Sequence, residues 1–233
     1  MGHRARDRVV AEGREEGSQD DGRRDRLFGE QGRLDEERRS EGPANEGSAG
    51  AERRSRATPG DERRGYVHVY TGDGKGKTTA ALGLALRALG HDLRVIMVQF
   101  MKADPSWGEI VMARRIGLDV LQVGLDHWVR KGEVTADDLR AAAEGFARGR
   151  DIVLGGAYDV VILDELLTAL YFELVSRTDV LRLFAEKPQH VELVVTGRRA
   201  PDDVVAAADL VTEMRPVKHY FDAGVPAREG IEF

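Results

Sequence analysis

A mostly parallel β-sheet with helices on both faces is the fold class this sequence predicts, and three observations predict it. From Tyr66 onward short β-prone runs alternate with helical stretches. The runs at 93–100 and 158–163 are nearly continuous strings of apolar residues, as strands covered on both faces must be. A glycine-rich turn also joins the first strand directly to the first helix.

Taken in order, residues 66–71, with Val67 and Val69, form the first strand. After the glycine turn at 72–79, the alanine and leucine run 80–89 is a helix stopped by Gly90. Strand 93–100 follows, then a helix over 110–116 and a strand over 118–123. A longer helix spans 135–154, where Thr135 can cap the first turn and Asp137 and Asp138 favour its positive end. Strand 158–163, a helix including 180–184, strand 191–196, a helix over 202–208 and a possible edge strand over 210–214 complete the alternation. Residues 215–227 show no helix or strand period.

The chain has 233 residues, enough for one α/β domain and a tail. Charged residues make up 33% of it, above the globular norm, and the first 65 residues, with 15 Lys and Arg against 16 Asp and Glu, explain the excess. The expected organisation is a charged, largely disordered leader over 1–64 ahead of a domain over 65–233. A second reading lets residues 27–39, with Leu27, Phe28 and Leu34 as a sparse apolar side, fold over the domain when ligand binds.

A net charge of −6 argues against a nucleic-acid partner. The absence of cysteine excludes disulfides, thiolate metal sites and cysteine nucleophiles. The N-terminal arginines precede no apolar run, and no window approaches the ~20 apolar residues of a membrane span. The expected location is cytoplasmic.

The chemistry centres on Gly72, Asp73, Gly74, Lys75, Gly76, Lys77, Thr78 and Thr79. Glycines let backbone amides turn inward around phosphate oxygens, and the helix N-terminus adds free amides and partial positive charge. Lys77 is placed to reach the outer phosphates, and the Thr78 hydroxyl to ligate Mg²⁺. Thr71 stands where the standard motif has its first glycine. Lys75 is either a second ammonium beside the phosphates or a solvated loop lysine.

Such a site needs a carboxylate near the metal, and the apolar run 160–163 ends in Asp164 and Glu165, where ligands of open parallel sheets collect. Glu165 is a candidate metal ligand or a base that activates water, so the residues leave open whether the phosphate chain is cleaved at its end or something else is done to the nucleotide. Gln99, Met101 and Lys102 follow the second strand, and Arg198 and Arg199 follow the strand at 191–196 as phosphate clamps or solvated arginines. Trp128 either covers the core or stacks on a planar ligand, and residues 215–227 either wrap the domain or form a binding lid.

These landmarks resemble the P-loop ATP:corrinoid adenosyltransferases, which act on cob(I)alamin or cob(I)yrinic acid a,c-diamide. The matching segments are residues 71–80, Val98-Gln99-Phe100 with Lys102, Leu163-Asp164-Glu165-Leu166 and Thr196-Gly197-Arg198. They continue in Arg215-Pro216-Val217-Lys218-His219, Phe221-Asp222-Ala223-Gly224-Val225 and Gly230-Ile231, so the resemblance spans about residues 65 to 233. It implies an α/β, P-loop NTPase (RecA-like) three-layer fold. It also implies transfer of the 5′-deoxyadenosyl group of ATP to Co(I) with release of triphosphate. Lys77, Thr78 and Glu165 are then the catalytic residues, Thr78 and Glu165 the metal ligands, and Asp164 their support.

The same resemblance places the co-substrate and the corrinoid on residues 72–79, Arg198, Leu125, Trp128, Lys218 and His219. It implies Mg²⁺ or Mn²⁺, a reduced flavin or flavoprotein as electron donor, and a homodimer. The chain departs from the family where a phenylalanine and a tryptophan usually press on the lower corrin face. Here Gly124, Leu125, Asp126, His127 and Trp128 occupy that stretch. Two competing readings are an ATP-hydrolysing P-loop protein with Glu165 as base, and a regulatory ATP-binding module.

Overall fold

The computed structural model describes residues 63–232 apart from 126, 128, 130 and 131. The leader, including residues 27–39, and Trp128 lie outside the described residues. Six strands, β1 (Val67–Thr71), β2 (Val95–Phe100), β3 (Asp119–Val123), β4 (Val160–Asp164), β5 (Glu192–Thr196) and β6 (Leu210–Glu213), form one sheet in the order β3-β2-β4-β5-β1-β6. Every neighbouring pair is parallel. Each connection is therefore a crossover, and the helices α1 (Lys77–Leu89), α2 (Gly108–Ile116), α3 (Ala136–Gly155), α4 (Leu166–Tyr171), α5 (Arg177–Glu186) and α6 (Asp202–Ala207) lie on them.

Alternation along the strands sorts the core into two apolar layers. On one face Val95, Met97, Val160, Ile162 and Val194 meet Ala81, Ala85 and Ala88 of α1 and Ala113 of α2. On the other, Val98, Phe100, Val161, Leu163, Leu193 and Val195 meet Phe146 and Val153 of α3, Leu166 and Leu170 of α4, and Leu183 of α5. The alanines of α1 recur at one-turn spacing, so its backbone can approach the sheet closely behind the glycine turn. Strands β2 and β4 are buried at every position, which explains their unbroken apolar text. β6 is exposed throughout and forms the edge expected for residues 210–214.

α4 follows the two acids directly and, with Leu166, Leu167, Ala169 and Leu170 all buried, its apolar residues mark no single face that a helical period could reveal. The 3₁₀ turn Tyr220–Ala223 breaks the expected irregularity of the tail, with the His219 ring capping it through Nδ1 and the Phe221 N–H.

Candidate functional site

The glycine turn leaves β1 and enters α1 through Gly76, whose φ of 116° is open only to a residue without Cβ strain. α1 has no side-chain cap and no acidic residue in its first turn. By contrast, Thr135 and Asp138 close a full capping box on α3. The first N–H groups of α1 are thus unclaimed by side chains at the end of the helix that attracts anions. Gly72 and Gly74 have a second reason to be glycine. A Cβ at Gly72 would lie 2.4 Å from the Met214 carbonyl oxygen and one at Gly74 2.7 Å from it, while the Gly74 N–H donates to that same oxygen at 2.7 Å.

Lys77 is buried and donates to the carbonyls of Gly72 at 2.8 Å and Gly74 at 2.7 Å, which leaves one N–H of its three to spend. Burial, with Arg198 nearby, pushes its ammonium below the ordinary lysine value against the opposing pull of Glu165, Asp73 and Asp164. A partly desolvated ammonium that lacks a close carboxylate partner favours an anionic ligand.

The two acids at the end of β4 are separated by a backbone reversal. Asp164 is the last residue of the strand and has no exposed surface. Its Oδ1 accepts from Thr78 at 2.8 Å and Thr196 at 2.7 Å, and its Oδ2 from Lys102 at 2.9 Å and Gln99 at 3.3 Å. Gln122 extends this polar row by donating to Gln99 Oε1. Burial opposes the charge on Lys102, but the charge and hydrogen bond of Asp164, with Glu165 and Glu109, outweigh it and raise the lysine above its ordinary value. Glu165 turns instead into the left-handed region, φ 61°, as the N-cap of α4. Its N–H donates to Thr196 Oγ1, and its carboxylate accepts from the Thr168 hydroxyl. A non-glycine residue held there marks a position set by its surroundings, and Met101, at φ 57° after β2, is another on the same cleft.

That cleft, of about 630 Å³, opens at the carboxyl ends of the strands. Of the expected residues it is lined by Asp73, Gly74, Lys75, Gly76, Lys77, Thr78, Thr79, Glu165, Arg198 and His219. Asp164 lies buried beneath it, bonded to Thr78. Leu125 belongs to an adjoining apolar pocket that shares Phe100, Met101 and Val129 with the cleft. His127 faces that pocket and pairs with Asp138 at 3.0 Å. Lys218 is exposed on the tail and is not among the lining residues.

Residues that sequence reasoning passed over also line the cleft: Trp107, under the Lys102 ammonium at 5.3 Å, Thr168, Phe172 and Glu232. Thr168, three positions after Glu165 on a helix start, was legible from spacing. No spacing connects Glu232 to the glycine turn. Lys75, expected beside the phosphates, is bonded to the C-terminal segment, at 3.0 Å to the Tyr220 hydroxyl, 2.9 Å to the Ile231 carbonyl and 2.8 Å to Glu232.

A helix N-terminus without a side-chain cap, a lysine beside it and a hydroxyl tied to a buried strand-end carboxylate meet at the carboxyl ends of a parallel sheet, the arrangement of an α/β protein able to hold an anionic ligand. Comparison with known proteins specifies the family. The model of the family described as ATP:corrinoid adenosyltransferase BtuR/CobO/CobP matches residues 63–233, and the chain belongs to that family. It is 35% identical to a corrinoid adenosyltransferase of Escherichia coli K12 over 77% of this chain and 91% of the relative. Corrinoid adenosyltransferase CobA of Salmonella typhimurium is 36% identical over the same shares. A corrinoid adenosyltransferase of Pseudomonas aeruginosa is 36% identical over 74% of this chain and 85% of the relative.

Proposed function

We propose that the cleft binds ATP with its triphosphate on the glycine loop and presents the ribose 5′ carbon to Co(I) of a corrinoid, so that triphosphate leaves as a carbon–cobalt bond forms. The observation that carries this reading is the bare N-terminus of α1 beside the depressed Lys77 ammonium, in a chain of this family. Co(I) supplies its own electron pair, so the protein needs no side-chain nucleophile or base. Its work is to hold the 5′ carbon in line and to stabilise a highly charged leaving group. Lys77, Arg198 and the loop amides do the second task. Leu125 and His127 line a pocket beside the cleft and would meet the corrinoid, and the family resemblance alone assigns Trp128 to the same task.

The hard oxygen donors present fit Mg²⁺ or Mn²⁺. Among the described residues no three His, Asp or Glu converge as a metal cage, as suits an ion held largely by phosphate. Thr78 and Glu165 would hold it, with Asp164 fixing the Thr78 hydroxyl from below, and it would neutralise triphosphate charge. The finer fold assignment, a RecA-like three-layer P-loop domain over 65–233, is supported by β5 lying between the loop strand β1 and the carboxylate strand β4. Among the described residues no helix is long and apolar enough to cross a membrane, and with the cysteine-free sequence this supports a cytoplasmic setting. The reduced flavin donor and the homodimer rest on the family resemblance.

The test is product analysis with ATP, Mg²⁺ and a corrinoid under strongly reducing conditions. Triphosphate and 5′-deoxyadenosyl-corrinoid should form in equal amounts. Orthophosphate release without an adenosylated product would overturn the reading in favour of hydrolysis.

A further inference from the structure

The C-terminal segment is tied to the glycine loop at both ends. At its start the Met214 carbonyl accepts from the Gly74 N–H at 2.7 Å. At its far end the neighbouring loop residue, Lys75, holds Tyr220, Ile231 and Glu232. An ammonium has three N–H donors, and these three bonds use all of them. Lys77, two residues on, uses two. The two loop lysines are therefore not equivalent, and only one has a donor to give a phosphate.

The tail is built to keep Lys75. Glu232 accepts from Lys75 and from the Tyr220 hydroxyl, and from the Arg228 backbone N–H at 2.7 Å. The Arg228 guanidinium lies 4.8 Å from the Tyr220 ring centre and the Lys75 ammonium 5.8 Å from it. Withdrawing Lys75 would leave a carboxylate, a carbonyl and a phenol each short of a partner. Between the two ties sits His219, whose ring lines the cleft beside Tyr220 and is oriented by the bond from the Phe221 N–H to Nδ1 at 3.1 Å.

We infer that Lys75 is a positioning residue rather than a phosphate ligand: with Tyr220 and Glu232 it closes the C-terminal segment into a strap across the phosphate loop and so holds His219 in the cleft. This inference rests on the reading of the cleft as the site of ATP and corrinoid. It assigns the two loop lysines separate tasks, triphosphate to Lys77 and the strap to Lys75.

The experiment uses the full chain and the variants Lys75→Met, Glu232→Gln, Tyr220→Phe, the double variant Lys75→Met/Glu232→Gln, and Lys77→Met as control. Calorimetry measures binding of inorganic tripolyphosphate with Mg²⁺, steady-state adenosylation measures kcat and the ATP KM, and hydrogen exchange follows residues 216–232. Lys75→Met and Glu232→Gln should change tripolyphosphate affinity and ATP KM by less than about threefold, while each lowers kcat about tenfold. The double variant should be no slower than the slower single variant, because both changes open the same strap. Exchange across 216–232 should rise in all three single strap variants, including the milder Tyr220→Phe.

A loss of tripolyphosphate affinity beyond about threefold in Lys75→Met would make Lys75 a phosphate ligand and overturn the inference. Multiplying kcat losses in the double variant, or unchanged exchange, would overturn it as well. The cleft reading fails separately, if Lys77→Met binds tripolyphosphate as well as the parent chain does; the exchange result then still decides the strap.

Discussion

Replacing Asp164 by asparagine preserves shape and removes charge at a residue with no exposed surface and four side-chain donors around it. Thr196 Oγ1 already accepts from the Glu165 N–H, so its proton is committed to Asp164 Oδ1. An amide nitrogen placed at Oδ1 therefore opposes Thr196, and one placed at Oδ2 opposes Lys102 and Gln99. Either way a buried donor is stranded, at a cost of about 1–3 kcal/mol. Lys102 also loses its buried counter-ion, a disruption that costs about 3–5 kcal/mol when nothing compensates. Glu109, 3.9 Å away, compensates in part, so a total near 3 kcal/mol is expected, a fall in melting temperature of about 6–12 °C for a chain of this size.

Thermal denaturation by circular dichroism measures this, and Asp164→Asn/Lys102→Met should recover about half the loss by removing the stranded ammonium. The raised pKa of Lys102 sets the sign of the pH dependence. Its pairing, as far as the lysine's charge is concerned, stabilises fully below the unfolded lysine value of 10.5 and is lost as pH rises through the higher folded value, so the gap between parent and variant should narrow in strong alkali. Turnover should fall by about 10²-fold, because the Thr78 hydroxyl loses its orienting acceptor. A loss under about 1 kcal/mol, or a double variant no more stable than the single one, would refute the account of Asp164 as the hub of the site.

Lys77→Ala should lower kcat/KM for adenosylation by about 10²-fold or more, through loss of the one ammonium with a free donor at the helix N-terminus; steady-state rates at limiting and saturating ATP check it. Gly72→Ala should destabilise by at least about 2 kcal/mol, since φ is 98° and the new Cβ would meet the Met214 carbonyl at 2.4 Å. Gly83→Ala, inside α1 with nothing within 4 Å of its Cβ position, should instead stabilise by about 0.5–1 kcal/mol in the same melt. Thr135→Ala removes the capping box of α3 and should cost about 1 kcal/mol, or about 2–4 °C, with faster amide exchange confined to the first turn of that helix.

Much of the site was legible because its determinants are local. A loop with glycine at every second position between a strand and a helix needs no distant partner to be read as a candidate phosphate cradle, and an apolar run ending in two acids announces a buried parallel strand with its carboxylates at the sheet's carboxyl end. Residues 71–79 and 160–165 therefore located the candidate site, and the periodicity of the apolar text determined the fold class. Strand alternation would by itself send Asp164 and Glu165 in different directions; in the fold the strand stops at Asp164 and the backbone turns left-handed at Glu165, whose N–H is held by Thr196 on the next strand.

What the tertiary structure alone decided were the partnerships across long stretches of chain. Lys102 reaches Asp164 because β2 and β4 are neighbours in the sheet, and Gly72 and Gly74 must be small because the chain leaving β6 crosses them at Met214. Lys75 and Lys77 stand two positions apart in one motif, and by composition either could serve phosphate. Their difference lies in where the tail returns, 156 residues away at Ile231, to claim every donor of one and none of the other. A sequence motif records which groups are close along the chain; only the folded chain sets which of their donors are already spent.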